Sequence, residues 1–336
     1  MTGPSALAVA TPHPIVRLGR SAQRRLRATG TIFLVLLALL VWISILNPNF
    51  TEPTVFLNFV RRATPLMILA AGQLFAVAGG GLDLSVGSTV TVTVVVAARW
   101  IAGDESMTWF VIAALLALGV AIGMVNGLVV TKLKVPSFIT TLGMLLILSG
   151  AVDYWTGGAP RGALSDGFRR FGIEAWDVPA LGRLPYAVVV MLAIGMLAGV
   201  LLHRTSFGHQ VLAVGGGPRT AQMSGVGVHR VRTITFVLSS VAAVLAGVLL
   251  GGIGGISPGI GDGLELRSIS AVVLGGAALG GGRGSVPAAM VGALTLEATF
   301  TVLNLLGYSQ GVRDVVQGLV IVVAVGSMAR RELRRG

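Results

Sequence analysis

The sequence predicts an all-α membrane protein with about ten transmembrane helices. Three observations carry that expectation. The 336 residues are 54% hydrophobic and 11% charged, with a mean hydropathy of +0.86. A soluble domain carries about 25% charged residues, so this chain cannot clothe a globular surface in polar groups and lipid must cover much of it. Apolar runs near the spanning length of about 20 residues recur along the chain. Arginines flank them: Arg17, Arg20, Arg24, Arg25 and Arg27 precede the first run, and Arg330, Arg331, Arg334 and Arg335 follow the last.

The expected spans are 30–47, 58–79, 84–102, 109–131, 137–155, 184–203, 231–254, 267–280, 284–306 and 312–329. The first is followed by no small-residue cleavage site and reads as a retained span, not a signal peptide. The eighth is short and Gly-rich, as a tilted or partial span would be. Residues 1–29 and 330–336 form basic tails around a transmembrane domain at 30–329. Residues 156–183 form a polar outer loop, and 204–230 the longest cytoplasmic segment.

Ten spans place both termini on one side. With that side cytoplasmic, most of the 25 basic residues fall inside, as the positive-inside rule requires. Arg61 and Arg62 fall on the outer side, against that rule, and are expected to snorkel to the interface. Trp42, Trp100, Trp109 and Trp155 sit near span ends as interface anchors.

The net charge of +12 therefore reads as topology, not as a nucleic-acid surface. The chain has no cysteine, hence no disulfide and no thiolate metal site. Its two lysines, Lys132 and Lys134, are followed by Leu and Val, so there is no P-loop. His13, His203, His209 and His229 lack metal-ligand spacing, and no Ser/His/Asp set has supporting context. The chain reads as a non-enzyme with no metal or cofactor of its own.

The run Gly79-Gly80-Gly81-Leu82-Asp83-Leu84-Ser85-Val86-Gly87-Ser88 puts a carboxylate between two apolar spans. Gly263-Leu264-Glu265-Leu266-Arg267 echoes it in the second half, and the two fall on opposite sides of the membrane. That predicts an inverted repeat, spans 2–5 matching 7–10. An acid just before a helix is stabilised by free N–H groups and the helix dipole. Asp83 and Glu265 are therefore expected as helix-terminal acids, with Asp83 more structural than substrate-binding.

Within the spans, an ionised Glu297 would cost roughly 2.5–3.5 kcal/mol at the membrane centre. It should face the bundle interior, be protonated, or pair with a base. It is a candidate for the transport pathway or for a buried structural bond. Asn126, Asn304 and Gln73 suit interhelical hydrogen bonds, and the first two are also pathway candidates. Thr156 ends the fifth span where an outer entrance would lie.

The chain resembles the permease subunits of bacterial ribose/monosaccharide-type ABC importers. The likeness rests on Gly79 to Ser88, on Asn126-Gly127 with Lys132 to Gly143, on Ala213 to Val226, and on Glu265 to Ser285. The last includes Gly281, Gly282 and Gly284. It covers about residues 50–328. It implies an inner-membrane subunit with cytoplasmic termini and a second permease copy, identical or related. It further implies a periplasmic or lipid-anchored binding protein that delivers substrate, and a cytoplasmic ATP-binding subunit that uses ATP and Mg. In 204–230 it implies a coupling helix for that ATPase. Gly215-Gly216-Gly217 makes the turn, Pro218 opens the helix, Arg219 to Met223 including Ala221 forms it, and Ser224-Gly225 ends it. The family usually has paired Asn where Phe300 and Thr301 stand, and a small residue at Glu297, which makes Phe300 a further pathway candidate.

The expected function is translocation of a ribose-like or other monosaccharide. Import of a nucleoside or branched-chain amino acid is the nearer alternative. A self-sufficient secondary transporter using Asp83 or Glu297 is the more distant one.

Overall fold

The computed structural model describes residues 31–179 and 182–333. The basic tail at 1–29 lies outside them, as do Arg334 and Arg335 of the second tail. In chain order the helices are α1 (Thr31–Leu46), α2 (Pro53–Ala78), α3 (Val86–Ile101), α4 (Thr108–Lys132), α5 (Ser137–Thr156) and α6 (Asp166–Ile173). A hairpin of β1 (Ala175–Val178) and β2 (Gly182–Pro185) leads to α7 (Tyr186–Arg204), α8 (Ser206–Gly216) and α9 (Pro218–Met223). Then come α10 (Val228–Gly254), α11 (Leu264–Leu274), α12 (Val286–Leu305) and α13 (Gln310–Leu333).

Every expected span has its helix, and six of them (α2, α4, α5, α7, α10 and α12) are long and apolar enough to cross a membrane. Helix α11 is short, as the eighth span was expected to be, and α3 starts only at Val86 and ends at Ile101. The 16 residues of α3 and the 11 of α11 rise only about 24 and 16 Å, against a hydrocarbon core of about 30 Å. Both follow Gly-containing breaks. At the other extreme, α2 begins at Pro53, five residues before the expected start, with proline at its first turn. Helix α13 runs through Leu333, past the expected end at 329.

The centre is the α2–α10 pair. Almost every side chain of α2 from Ala63 to Ala78 is buried. Along α2 from Gly72 to Gly79 the facing residue of α10 falls from Ala242 to Thr235, so the two run antiparallel. Pro65 inside α2 cannot donate to the carbonyl of Arg61. The Thr64 hydroxyl takes that acceptor instead at 2.7 Å, which keeps the backbone satisfied away from water.

Packing is duplicated. Helix α4 packs on α10 as α12 packs on α2, α3 meets α10 as α11 meets α2, and α5 leans on α3 as α13 on α11. Matched pairs about an antiparallel α2–α10 axis are what an inverted repeat of the two halves requires. Helix α4 approaches α10 through Gly119, Gly123 and Gly127, where a Cβ would press into the α10 backbone or side chains.

The polar loop at 156–183 is more structured than a loop. Helix α6 opens with the Ser165 side chain accepting from Phe168 N at 3.2 Å, and Phe168 is fully buried against α3 and α10 side chains. The hairpin pairs Trp176 with Leu184 and Asp177 with Arg183, and Trp176 packs on Tyr186 with ring centroids 4.3 Å apart.

Candidate functional site

Helix α2 ends in a glycine turn. Gly79, Gly80 and Gly81 donate back to Phe75, Val77 and Ala76, with Gly80 at φ +82°. The chain then runs through Leu82, Asp83 and Leu84 without helical bonds of its own. Its backbone is served by neighbours, as irregular backbone at membrane depth demands. Leu82 N donates to the Ser137 hydroxyl at 3.1 Å, and the Thr141 hydroxyl donates to Leu82 O at 3.1 Å. The Gln73 amide, oriented with its nitrogen toward Asp83 O and its oxygen toward Asp83 N, makes bonds of 3.1 and 3.2 Å.

The Asp83 carboxylate does not cap α3 directly, as a helix-terminal acid would. One oxygen accepts from the backbone N of Ser85 at 3.0 Å and from its hydroxyl at 2.6 Å. Ser85 is the residue ahead of α3, so the acid locks the turn that feeds the helix. Asn126 of α4 donates to the Ser85 hydroxyl at 3.0 Å. Asp83, Ser85, Asn126 and Gln73 are all fully buried. Asp83 Oδ2 and Asn126 Oδ1 remain without hydrogen-bond partners. Glu265 departs from Asp83 in register: it lies inside the first turn of α11, behind Gly263 at φ +78°.

The two echoing motifs touch. A Cβ on Gly87 would overlap the Glu265 carboxylate, and Gly261 N donates to the Thr91 hydroxyl at 3.1 Å. A second convergence joins two glycine turns and the last turn of α8, all distant in sequence. A Cβ on Gly281 would come within 2.8 Å of Gly215 Cα and 2.9 Å of Gly80 Cα. Gly282 N donates to Ala78 O at 2.8 Å, and Arg232 Nε donates to Gly79 O at 3.3 Å. Gly284 packs on Leu74 in the same way.

The short helix expected after Pro218 forms as α9, directly after the end of α8 that packs into this knot. Thr205 caps α8 by accepting from Gly208 N at 3.2 Å. Gly217 ends α8, Pro218 opens α9, and Ser224 with Gly225 at φ +81° closes it. Two expectations are corrected in detail: Gly215 and Gly216 do not make the turn but close α8, leaving Gly217 alone between the helices. Ala221 is buried and seats α9 on the body, so it is a spacer and not a contact residue. The outward surface is Arg219, Gln222 and Met223, with Met223 90% exposed. Sequence reasoning passed over Met223, although an exposed methionine on a short helix is a recognisable contact signal.

The pathway candidates do not form one cluster. Asp83 and Asn126 belong to the buried lock. Glu297 and Phe300 belong to a group toward the C-terminal end of α12. There the Arg267 guanidinium lies 5.0 Å above the Phe300 ring, within cation–π range. Arg267, Arg62 and Arg313 are the cations whose charge reaches the half-buried Glu297. No side-chain ion pair forms with it among the described residues. Asn304, two turns on, is exposed. Thr156 is half-buried at the end of α5 and spends its hydroxyl on Val152 O at 2.8 Å. No group of His, Cys, Asp and Glu among the described residues is arranged to hold a metal.

Residues 55–325 match the family described as branched-chain amino acid transport system / permease component. The ribose import permease protein RbsC of Escherichia coli K12 is 37% identical over 296 residues, covering 87% of this chain and 91% of that one. RbsC of Bacillus subtilis is 35% identical over 315 residues, 91% and 96% of the two chains. The L-arabinose transport system permease protein AraH of E. coli K12 is 35% identical over 298 residues, 88% of each. No solved structure matches.

Proposed function

The chain belongs to the branched-chain amino acid transport system / permease component family, and from that premise we propose that it is the membrane-spanning permease subunit of an ATP-driven importer of a monosaccharide. The carrying observation is its likeness, over nearly its whole length, to permeases named for ribose and arabinose. The chain is a transport subunit, and ATP with Mg is bound and hydrolysed by a separate ATPase. A substrate-binding protein delivers the sugar.

In this reading α9 docks on the ATPase through Arg219, Gln222 and Met223. Both termini are cytoplasmic, which puts α9 inside and the hairpin and the Glu297 group outside. The charge distribution along the sequence supports that orientation. A second permease copy, identical or related, completes the pathway. The chain has no cysteine, so single-cysteine variants labelled from one side of intact cells test the orientation directly.

The function is tested by reconstituting the chain with its ATPase and binding protein in vesicles. ATP-dependent sugar uptake that fails when any component is omitted is the expected result. Uptake by this chain alone, driven by a proton or sodium gradient, overturns the reading.

A further inference from the structure

Arg61 and Arg62 run against the charge rule that most of the chain's basic residues follow, and the structure places Arg61 beside a small recess. A cavity of about 60 Å³ opens between the first turns of α2 and the β-hairpin. Arg61, Arg183, Asn58 and Thr54 line it, together with the apolar Ile173, Ala175 and Pro185. Four of these side chains carry hydrogen-bond donors.

Charge in this region is only loosely compensated. The positive charges of Arg62 and Arg183 both bear on Arg61. The Nε of Arg61 is buried without a hydrogen-bond partner. Arg183 reaches Asp177 at 3.8 Å, a loose pair whose side chains are 65% and 90% exposed. The neighbouring Glu174 is engaged with Arg170 at 3.2 Å. Among the described residues no carboxylate pairs with Arg61. Like charges drawn together repel, and a buried donor without a partner is destabilising. An oxyanion between the two guanidiniums removes both costs, and the planar forks of arginine suit phosphate.

We propose that the recess between α2 and the hairpin binds a phosphate group, held by Arg61 and Arg183 with Asn58 and Thr54 as neutral donors. The phosphate comes either from solution or from a lipid headgroup. The half-exposed Trp176 ring on β1 fits the interfacial level at which headgroups lie. The site lies at the opposite end of α2 from the glycine knot.

The test uses the purified full chain. Its melting temperature is measured in detergent with inorganic phosphate against chloride at equal ionic strength. It is then measured in nanodiscs of phosphatidylcholine with and without phosphatidylglycerol. Protection of about 2–4 °C in at least one arm is expected. It should be lost in Arg61→Gln and Arg183→Gln and kept in Arg204→Gln. Protection by inorganic phosphate identifies a free oxyanion as ligand, and protection by phosphatidylglycerol alone identifies a headgroup. Arg183 is exposed, so Arg183→Gln remains informative if Arg61→Gln fails to fold. Protection in neither arm, or equal protection of wild type and Arg183→Gln, overturns the proposal.

Discussion

The backbone N–H of Gly282 donates to the carbonyl of Ala78 at 2.8 Å, joining two turns some 200 residues apart in the chain. Ala78 is the last residue of α2, and its carbonyl is one of those a helix terminus leaves unmatched. Gly215 lies against the same carbonyl, with Gly80 and Gly281 beside it. The segment carrying α9 is thus packed, backbone on backbone, against the break in the first half and the α11–α12 turn in the second.

That arrangement predicts a sharp contrast between adjacent glycines. A Cβ at Gly215 would overlap the Ala78 carbonyl, whereas one at Gly216 would meet Gly282 Cα at an ordinary 3.8 Å. Gly215→Ala should cost about 1–3 kcal/mol in stability, the usual range for overpacking. It should also uncouple ATP hydrolysis from uptake by tenfold or more. Gly216→Ala should leave both near wild type. Thermal melting in detergent and the ratio of ATP hydrolysed to solute carried check the pair.

The spans were legible in the sequence because lipid imposes a length and a hydrophobicity that few other constraints mimic. Helix α9 was legible because Pro218 and Gly225 punctuate it. The glycine knot was not, because nothing in a local window says that Gly80, Gly215 and Gly281 meet. Nor was the α6–hairpin cap: two four-residue strands and an eight-residue helix give too little periodicity to separate from a polar loop. The short, Gly-rich eighth span was legible and is α11, whereas the short length of α3 was hidden by the apolar residues of the break ahead of it. Asp83 was legible as an acid at a turn, but its bonds to Ser85 and, through Ser85, to Asn126 need the fold.

The buried lock should behave as a unit. Ser85→Ala removes the hydroxyl that bridges Asp83 and Asn126, and Asn126→Ala removes the donor to that hydroxyl. Each should lower stability by about 1–3 kcal/mol, the range for a buried polar group losing its partner. The double variant should fall short of the sum, because the second change removes a bond already lost. A double-mutant cycle with a coupling energy of about 0.5–3 kcal/mol is expected. Strict additivity would mean the network does not exist in the membrane.

The surface of α9 gives a prediction with two distinguishable failures. Met223→Asp and Arg219→Glu alter exposed side chains, so they should preserve melting temperature while abolishing co-purification of the ATPase. Ala221→Asp buries a charge beneath the helix and should destabilise the chain itself. If Met223→Asp and Arg219→Glu both retain the ATPase, docking lies elsewhere on the inner face.

Helix α4 supplies a test of how closely the two halves must approach. Its glycines at 119, 123 and 127 face α10, and a Cβ at Gly123 would come within 2.5 Å of Val237 Cα. Close backbone approach of this kind is how helices associate in lipid, where apolar side chains gain nothing by leaving the solvent. Gly123→Leu should therefore lower the melting temperature markedly and reduce the yield of folded protein. On α5, by contrast, a Cβ at Gly143 or Gly150 would meet nothing within 4 Å, so Gly143→Leu should fold normally. Should Gly143→Leu nonetheless block uptake while melting like wild type, the exposed face of α5 is occupied in the working transporter by another copy of the permease or by the passing solute. Chemical crosslinking through a single cysteine at position 143 separates those two cases, since only a second copy yields a covalent dimer.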